Sequence, residues 1–433
     1  MLHNEPLAEV ADALRDGRMD VTAYVEQLEQ RAADVEPRIE SLVPEEGRWE
    51  RLRAAAAELA DRYPEPSARP PLYGVPIGVK DIFHVDGLPT RAGSDLPPET
   101  LEGPESAAVT LLRRAGALVL GKTVTTEFAH MDPGPTRNPH DLDHTPGGSS
   151  SGSAAAVAAG LCPFAFGSQT IGSVIRPAAF CGIVGYKPTY DRIPTDGVIP
   201  LSTSVDHVGA FTQDTDGIAL VAPLLCDSWQ YLPPPSRLPT IGVPDGRYLK
   251  QASETALDAF ETHLDVLGAA GYDLVRVDAL EAIAEINDRH EQLVAADAAL
   301  AHESWFGEYG ERYADATRQL ILEGLEIPVK TVATGRRSRT EVRSDLTALM
   351  DRHGIDVWIA PAAPGPAPES IESTGDPVMN LPWTHTGLPT ITVPASKTDD
   401  GLPLGVQFAG RFGADEDVVR WSHGIADTLR AHR

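Results

Sequence analysis

Two neighbouring stretches rich in small residues constrain this chain more than any other feature. They are "TPGGSSSGSAAAVAAG" (145–160) and "GSQTIGSVIRPAAFCGIVGYKPT" (167–189). Runs of glycine and serine are usually flexible linkers. Here each run is bounded by apolar residues of core type. Both therefore read as tight loops whose glycines permit close backbone approach or positive φ. Such loops present amide N–H groups, which suit phosphates or oxyanions. "SAAAVAAG" reads as a small-residue helix closed by Gly160.

Several chemistries compete for these loops. "GGSSSGS" lacks the Gly-x-x-x-x-Gly-Lys-Ser/Thr pattern of a phosphate-binding loop. "GSSSG" (148–152) fits the Gly-x-Ser-x-Gly elbow of Ser-His-Asp hydrolases, and thirteen histidines leave that option open. "HDLDH" (140–144) holds metal-type residues, but without a surrounding helix it reads as a solvated loop.

A third segment sharpens the question. "YGVPIGVKDIF" (73–83) has the apolar pattern of a buried strand, yet it carries Lys80. The chain has only six lysines among 36 basic residues. An ordinary reading pairs Lys80 with Asp81 or lets its stem snorkel to water. The alternative is chemical: burial disfavours the ammonium and lowers the lysine pKa.

The rest of the chain supplies the frame. Residues 1–65 read as helices, with prolines 64, 66, 70 and 71 ending them before the Lys80 strand. "ESAAVTLLRRAGALVLGKT" reads as helix, turn at Gly116, then strand. A core runs from about 70 to 230, and helices return over about 280–350. Strands in "DVWIAPAAPGPAP", "LPTITVPA" and "LGVQFAG" and a last helix fill 355–433. Without a linker or repeat, this order predicts one large α/β domain over 1–433.

Composition narrows the partners. Sixty-three acidic against 36 basic residues give a net charge of −27, which opposes binding to nucleic acid. It fits either a protein from a high-salt cytoplasm or, with arginine favoured over lysine, a GC-rich genome. No apolar run reaches the ~18–20 residues of a membrane helix. The acidic start "MLHNEPLAEVADALRDG" has no signal-peptide pattern, so a cytoplasmic location is expected. Cys162, Cys181 and Cys226 lack metal spacing and read as buried free thiols.

Lys80, the serines of "PGGSSSGSAAAVA" and the serine in "GSQTIGSVIRPAA" together resemble the amidase signature family. The spacings match: 69 residues from Lys80 to Ser149 and 24 from Ser149 to Ser173. "GKTVTTEFA", "RNP", "GDPVMNLPWTHTGLPTITVPA" and "DGLPLGVQFAGRFGADE" extend the resemblance over nearly the whole chain. It implies a single large domain with a central mixed, twisted β-sheet covered by helices on both faces. It implies Ser173 as nucleophile, Ser149 as bridging serine after a cis peptide bond at Gly148, and Lys80 as base. The amides of Thr170, Ile171 and Gly172 would form the oxyanion hole. The activity implied is hydrolysis of a linear carboxylic amide, with no metal and no organic cofactor. The implied partner is a small-molecule amide, and the family suggests a homodimer. Two alternatives stay open: a carbamate, urea or aryl-amide hydrolase, and the amidase component of a tRNA-dependent amidotransferase.

The chain also departs from the family pattern. Gln169 stands where aspartate is frequent, Ile171 and Ser151 where glycine is, and Arg176 lies one position later than usual. If the position of Ile171 required positive φ, its β-branched side chain would be strained. Substrate walls are expected near 128–142, in the helices near 300–340 and in the loop 361–383.

Overall fold

A computed structural model describes residues 1–432. Ten strands form one sheet across these residues: β1 (Pro76–Lys80), β2 (Leu118–Thr123), β3 (Phe164–Gln169), β4 (Val184–Lys187), β5 (His207–Thr212), β6 (Ile241–Asp245), β7 (Leu274–Asp278), β8 (Val357–Pro361), β9 (Thr390–Lys397) and β10 (Pro403–Ala409). Their order is β2-β1-β3-β5-β4-β9-β10-β8-β6-β7. Both ends of the sheet are parallel, and the middle, from β3 to β8, is antiparallel. The expected mixed sheet in a single α/β domain, flanked by helices, is therefore present.

The central strands β1, β3, β4 and β5 are buried at every position. Continuous apolar runs suit strands covered on both faces. The sequence reading identified β1, β2, β8, β9 and β10 but left β3 to β7 unassigned. Strand β3, "FAFGSQ", merges into the small-residue loop, and its Gly167 and Ser168 hide the period-2 alternation. Lys80 is the last residue of β1.

The small-residue helix Ser151–Ala158 is buried throughout. Its composition is a packing requirement. A Cβ on Gly152 would lie 2.2 Å from the Ser41 carbonyl oxygen and 2.4 Å from the Val124 nitrogen. All three cysteines are free and buried, and burial pushes the Cys162 and Cys226 thiols up to about 12. No described helix is long and apolar enough to cross a membrane.

The net charge of −27 carries a stability consequence. Repelling carboxylates are screened by salt, with a Debye length near ~3 Å at 1 M against ~10 Å at 0.1 M. The melting temperature is expected to rise between those KCl concentrations in a calorimetric scan. A flat or falling value would leave genome composition as the source of the charge.

Candidate active site

Strand register brings the first two residues together. β1 runs parallel to β3 with Val79 beside Phe166, so Lys80, one residue on, and Ser168, two residues on, sit close at the carboxyl ends of the two strands. In open α/β sheets, ligands gather at such ends. Lys80 is fully buried, and its Nζ lies 2.7 Å from Ser149 Oγ and 2.8 Å from Ser168 Oγ. Asp81 is not its partner; that carboxylate pairs with Lys122 at 2.7 Å. With no carboxylate in contact, burial holds the Lys80 ammonium well below the ordinary lysine range. Asp206 opposes this shift through its charge, itself raised by burial to about 6.

Ser149 follows a cis peptide bond at Gly148. Its carbonyl accepts from the Thr126 amide at 3.2 Å. Arg176, fully buried, donates to the Gly148 carbonyl at 2.7 Å and to that of Gly375 at 2.8 Å. It thereby ties the serine loop to the turn that carries Ser173. Burial without a carboxylate in contact lowers the Arg176 guanidinium to about 10.

Ser173 sits in the turn between β3 and the helix Ile175–Cys181. Its hydroxyl makes no hydrogen bond among the described residues, so the Lys80–Ser149 link is present as a contact and the Ser149–Ser173 link is not. The amides of Thr170, Ile171 and Gly172 likewise donate to no group among the described residues. Backbone amides in a folded interior are almost always paired. Three consecutive free ones beside a serine can receive an anionic oxygen. Close packing holds this turn: a Cβ on Gly172 would lie 2.4 Å from Asn380 Oδ1.

Ile171 is absent from the residues with positive φ, so its β-branched side chain is unstrained. That side chain lines a cavity of about 450 Å³. His130 and Met131, the helix Ile283–Ala301 and the helix Asp315–Glu326 complete the wall. The expected segments 128–142 and 300–340 therefore contribute. The loop 361–383 does not line this cavity; it packs behind Gly172.

Sequence reasoning missed Ser168 and Asp206, and it named the segment from Phe128 without its backbone conformation. Phe128 and Ala129 adopt left-handed φ of 45° and 61°, an uncommon conformation for residues other than glycine. Phe128 stacks on Tyr313 at 5.0 Å and meets His302 edge-on at 4.6 Å, contacts that hold it there. The one sequence signal for Ser168 was its place within "GSQTIGS". For Asp206 there was none beyond a polar residue in "STSVDHV".

The "HDLDH" histidines separate: His140 Nε2 contacts the Cys181 carbonyl, and His144 faces Asp141. Among the described residues, no group of three or more His, Cys, Asp or Glu is arranged to hold a metal ion.

Known proteins share both the sequence and the architecture. A family model described as Amidase matches residues 23–419. The putative amidase AmiD of Mycobacterium bovis is 30% identical, over 99% of this chain and 94% of its own length. A glutamyl-tRNA(Gln) amidotransferase subunit of Geobacillus kaustophilus is 29% identical, over 100% and 99%. Among solved structures, one described as an amidase superposes with TM-score 0.88 at 31% identity, covering 99% of this chain and 100% of that one. A peptide amidase bound to chymostatin superposes with TM-score 0.86 at 25% identity, covering 99% and 98%.

Proposed function

The chain belongs to the amidase signature family, and from that premise we propose that it hydrolyses a carboxylic amide through an acyl-enzyme on Ser173. One observation carries the reading: a fully buried lysine, free of any carboxylate contact, lies 2.7 Å from Ser149 Oγ. A lysine in that setting is a base rather than a counter-ion.

The steps follow from the residues. Neutral Lys80 donates one N–H to Ser168 and accepts the Ser149 hydroxyl proton on its lone pair. Ser149 takes the proton of Ser173 as Ser173 Oγ attacks the amide carbon. The carbonyl π pair moves to oxygen, where the amides of Thr170, Ile171 and Gly172 stabilise it. Collapse of the tetrahedral intermediate breaks the C–N bond, and the relayed proton leaves with the amine. Water then attacks the acyl-enzyme, giving the carboxylate and restoring Ser173. No step calls on a metal or an organic cofactor.

The cavity beside Ile171 supports an acyl group without negative charge. Its wall combines Met131, Val294, Leu320 and Ile327 with Asp288, Glu291 and Glu323. Acyl groups bearing a carboxylate are disfavoured there. An uncharged amide is expected to exceed its carboxylate-bearing analogue by about tenfold in kcat/KM, or about 1.4 kcal/mol. Glu291→Gln should narrow that gap, and an unchanged gap would remove this cavity from the substrate path.

A second reading is favoured by the full-length similarity to the amidotransferase relative. In that role the chain would release ammonia from an amide donor inside a complex. One experiment separates the two: the purified protein is offered simple amides, esters, carbamates, ureas and glutamine. Turnover of simple amides by the isolated chain supports the hydrolase. Activity on glutamine alone, and only with added partners, supports the amidotransferase role.

A further inference from the structure

Two chains of hydrogen-bond donors converge on consecutive carbonyls of the loop before Ser173. In the first, His290 Nε2 lies 3.0 Å from the Thr170 carbonyl oxygen and His290 Nδ1 lies 3.3 Å from His385 Nδ1. His385 Nε2 lies 3.1 Å from Ser338 Oγ, which accepts from Arg289 Nη1 at 3.4 Å. His290, His385 and Ser338 are fully buried. In the second, Thr384 Oγ1 donates to the Ile171 carbonyl at 2.6 Å and receives Gln169 Nε2 at 2.9 Å.

The directions of these bonds are fixed by their ends. A carbonyl only accepts, so His290 Nε2 carries the hydrogen. Burial keeps both rings neutral, so His290 Nδ1 is bare and His385 Nδ1–H donates to it. His385 Nε2 must then accept from the Ser338 hydroxyl. Every donor from Arg289 onward points toward Thr170. Gln169 is fixed in the same way: its Oε1 accepts the amides of Val174 and Ile175 at 2.8 and 2.9 Å, so its NH₂ faces Thr384. An aspartate could not donate there, which gives the unusual glutamine a purpose.

In a trans peptide the C=O and the following N–H point in opposite directions. Gripping the Thr170 and Ile171 carbonyls from behind therefore aims the Ile171 and Gly172 amides forward. A donor chain also polarises the peptide at its end and strengthens that N–H as a donor. We propose that His290, backed by His385, Ser338 and Arg289, is a positioning residue that holds and polarises the Thr170 carbonyl so that the Ile171 amide faces the developing oxyanion. Thr384 and Gln169 do the same for Gly172. This inference rests on the Ser173 acyl-enzyme reading.

The test uses the full chain and a fluorophosphonate, whose attack by serine places an anionic oxygen in the same hole. His290→Leu removes the donor, whereas His290→Gln keeps an N–H near the position of Nε2. His290→Leu should slow labelling of Ser173 and lower kcat by about tenfold or more, with KM within about twofold. His290→Gln should recover to within about threefold of wild type. Ser338→Ala should cost about threefold alone and nothing further on top of His290→Leu, because one chain is already broken. Normal labelling of a folded His290→Leu protein, no rescue by glutamine, or full additivity of the double variant would each overturn the inference. Should His290→Leu fail to fold, Ser338→Ala and Gln169→Glu decide: slower labelling supports the clamp, and wild-type rates overturn it. Wild-type protein that labels nowhere at Ser173 overturns the acyl-enzyme reading itself, and the inference with it.

Discussion

Lys80→Arg is expected to leave less than about one part in 10³ of wild-type kcat/KM, and at no pH should it recover. The wild-type enzyme should instead climb with pH through one ionisation lying below the ordinary lysine value of 10.5. The sign follows from the site. Burial disfavours the ammonium, so the folded chain releases this proton at lower pH than the unfolded chain does. Only the neutral amine can accept from Ser149, so activity rises as the proton leaves. Arginine stays protonated in proteins and cannot follow that path. The ascending limb belongs to more than one group, since the charge of Asp206, whose carboxyl is raised to about 6, acts on the same amine. Lys80→Met separates chemistry from folding. The native state holds a depressed lysine at a cost, present below pH 10.5 and relieved as pH rises toward that value. The methionine variant should therefore melt no earlier than wild type at neutral pH while losing turnover. An arginine variant with near-native activity would make Lys80 a fixed charge and end the neutral-base account.

Ser173→Ala is expected to lower kcat by about 10⁴-fold or more, because removing the attacking atom removes the covalent route. Ligand affinity should stay near wild type, since that hydroxyl holds no neighbour in place. Ser149→Ala should be milder, with a water bridging Lys80 to Ser173 in the vacated space. Steady-state kinetics on the best amide of the panel, with a competitive product acid for affinity, reads both. Retention of a tenth of wild-type kcat by Ser173→Ala would move the nucleophile elsewhere.

What could be read from the sequence divides along physical lines. The strand ending at Lys80, the helix after Ser149 and the helices at both ends of the chain announced themselves by periodicity or by breakers. Strand β3 did not, because Gly167 and Ser168 interrupt its alternation. The Lys80–Ser149 contact was legible only through spacing and resemblance. Nothing in the local pattern says that residues 69 apart meet. Ser168, Asp206 and His290 were invisible for a related reason. Their meaning comes from register and packing: Val79 beside Phe166 brings Ser168 to the amine, and Gln169 paired with His207 brings Asp206 to Thr170. The departures at Gln169 and Ile171 looked like doubts about the site. In three dimensions one is a donor to Thr384, and the other is a wall of the cavity.

The most direct test is to trap the acyl-enzyme. Wild-type protein is mixed with a slowly deacylated aryl ester, quenched in acid, digested and analysed by mass spectrometry. Trypsin leaves Ser149 and Ser173 on one peptide, residues 138–192, because Arg176 and Lys187 each precede proline. Fragmentation must therefore assign the site. The Ser173 mechanism predicts one acyl group, on Ser173, absent from Ser173→Ala and formed far more slowly in Lys80→Arg. Turnover without any covalent adduct, or an acyl group on Ser149, would contradict it.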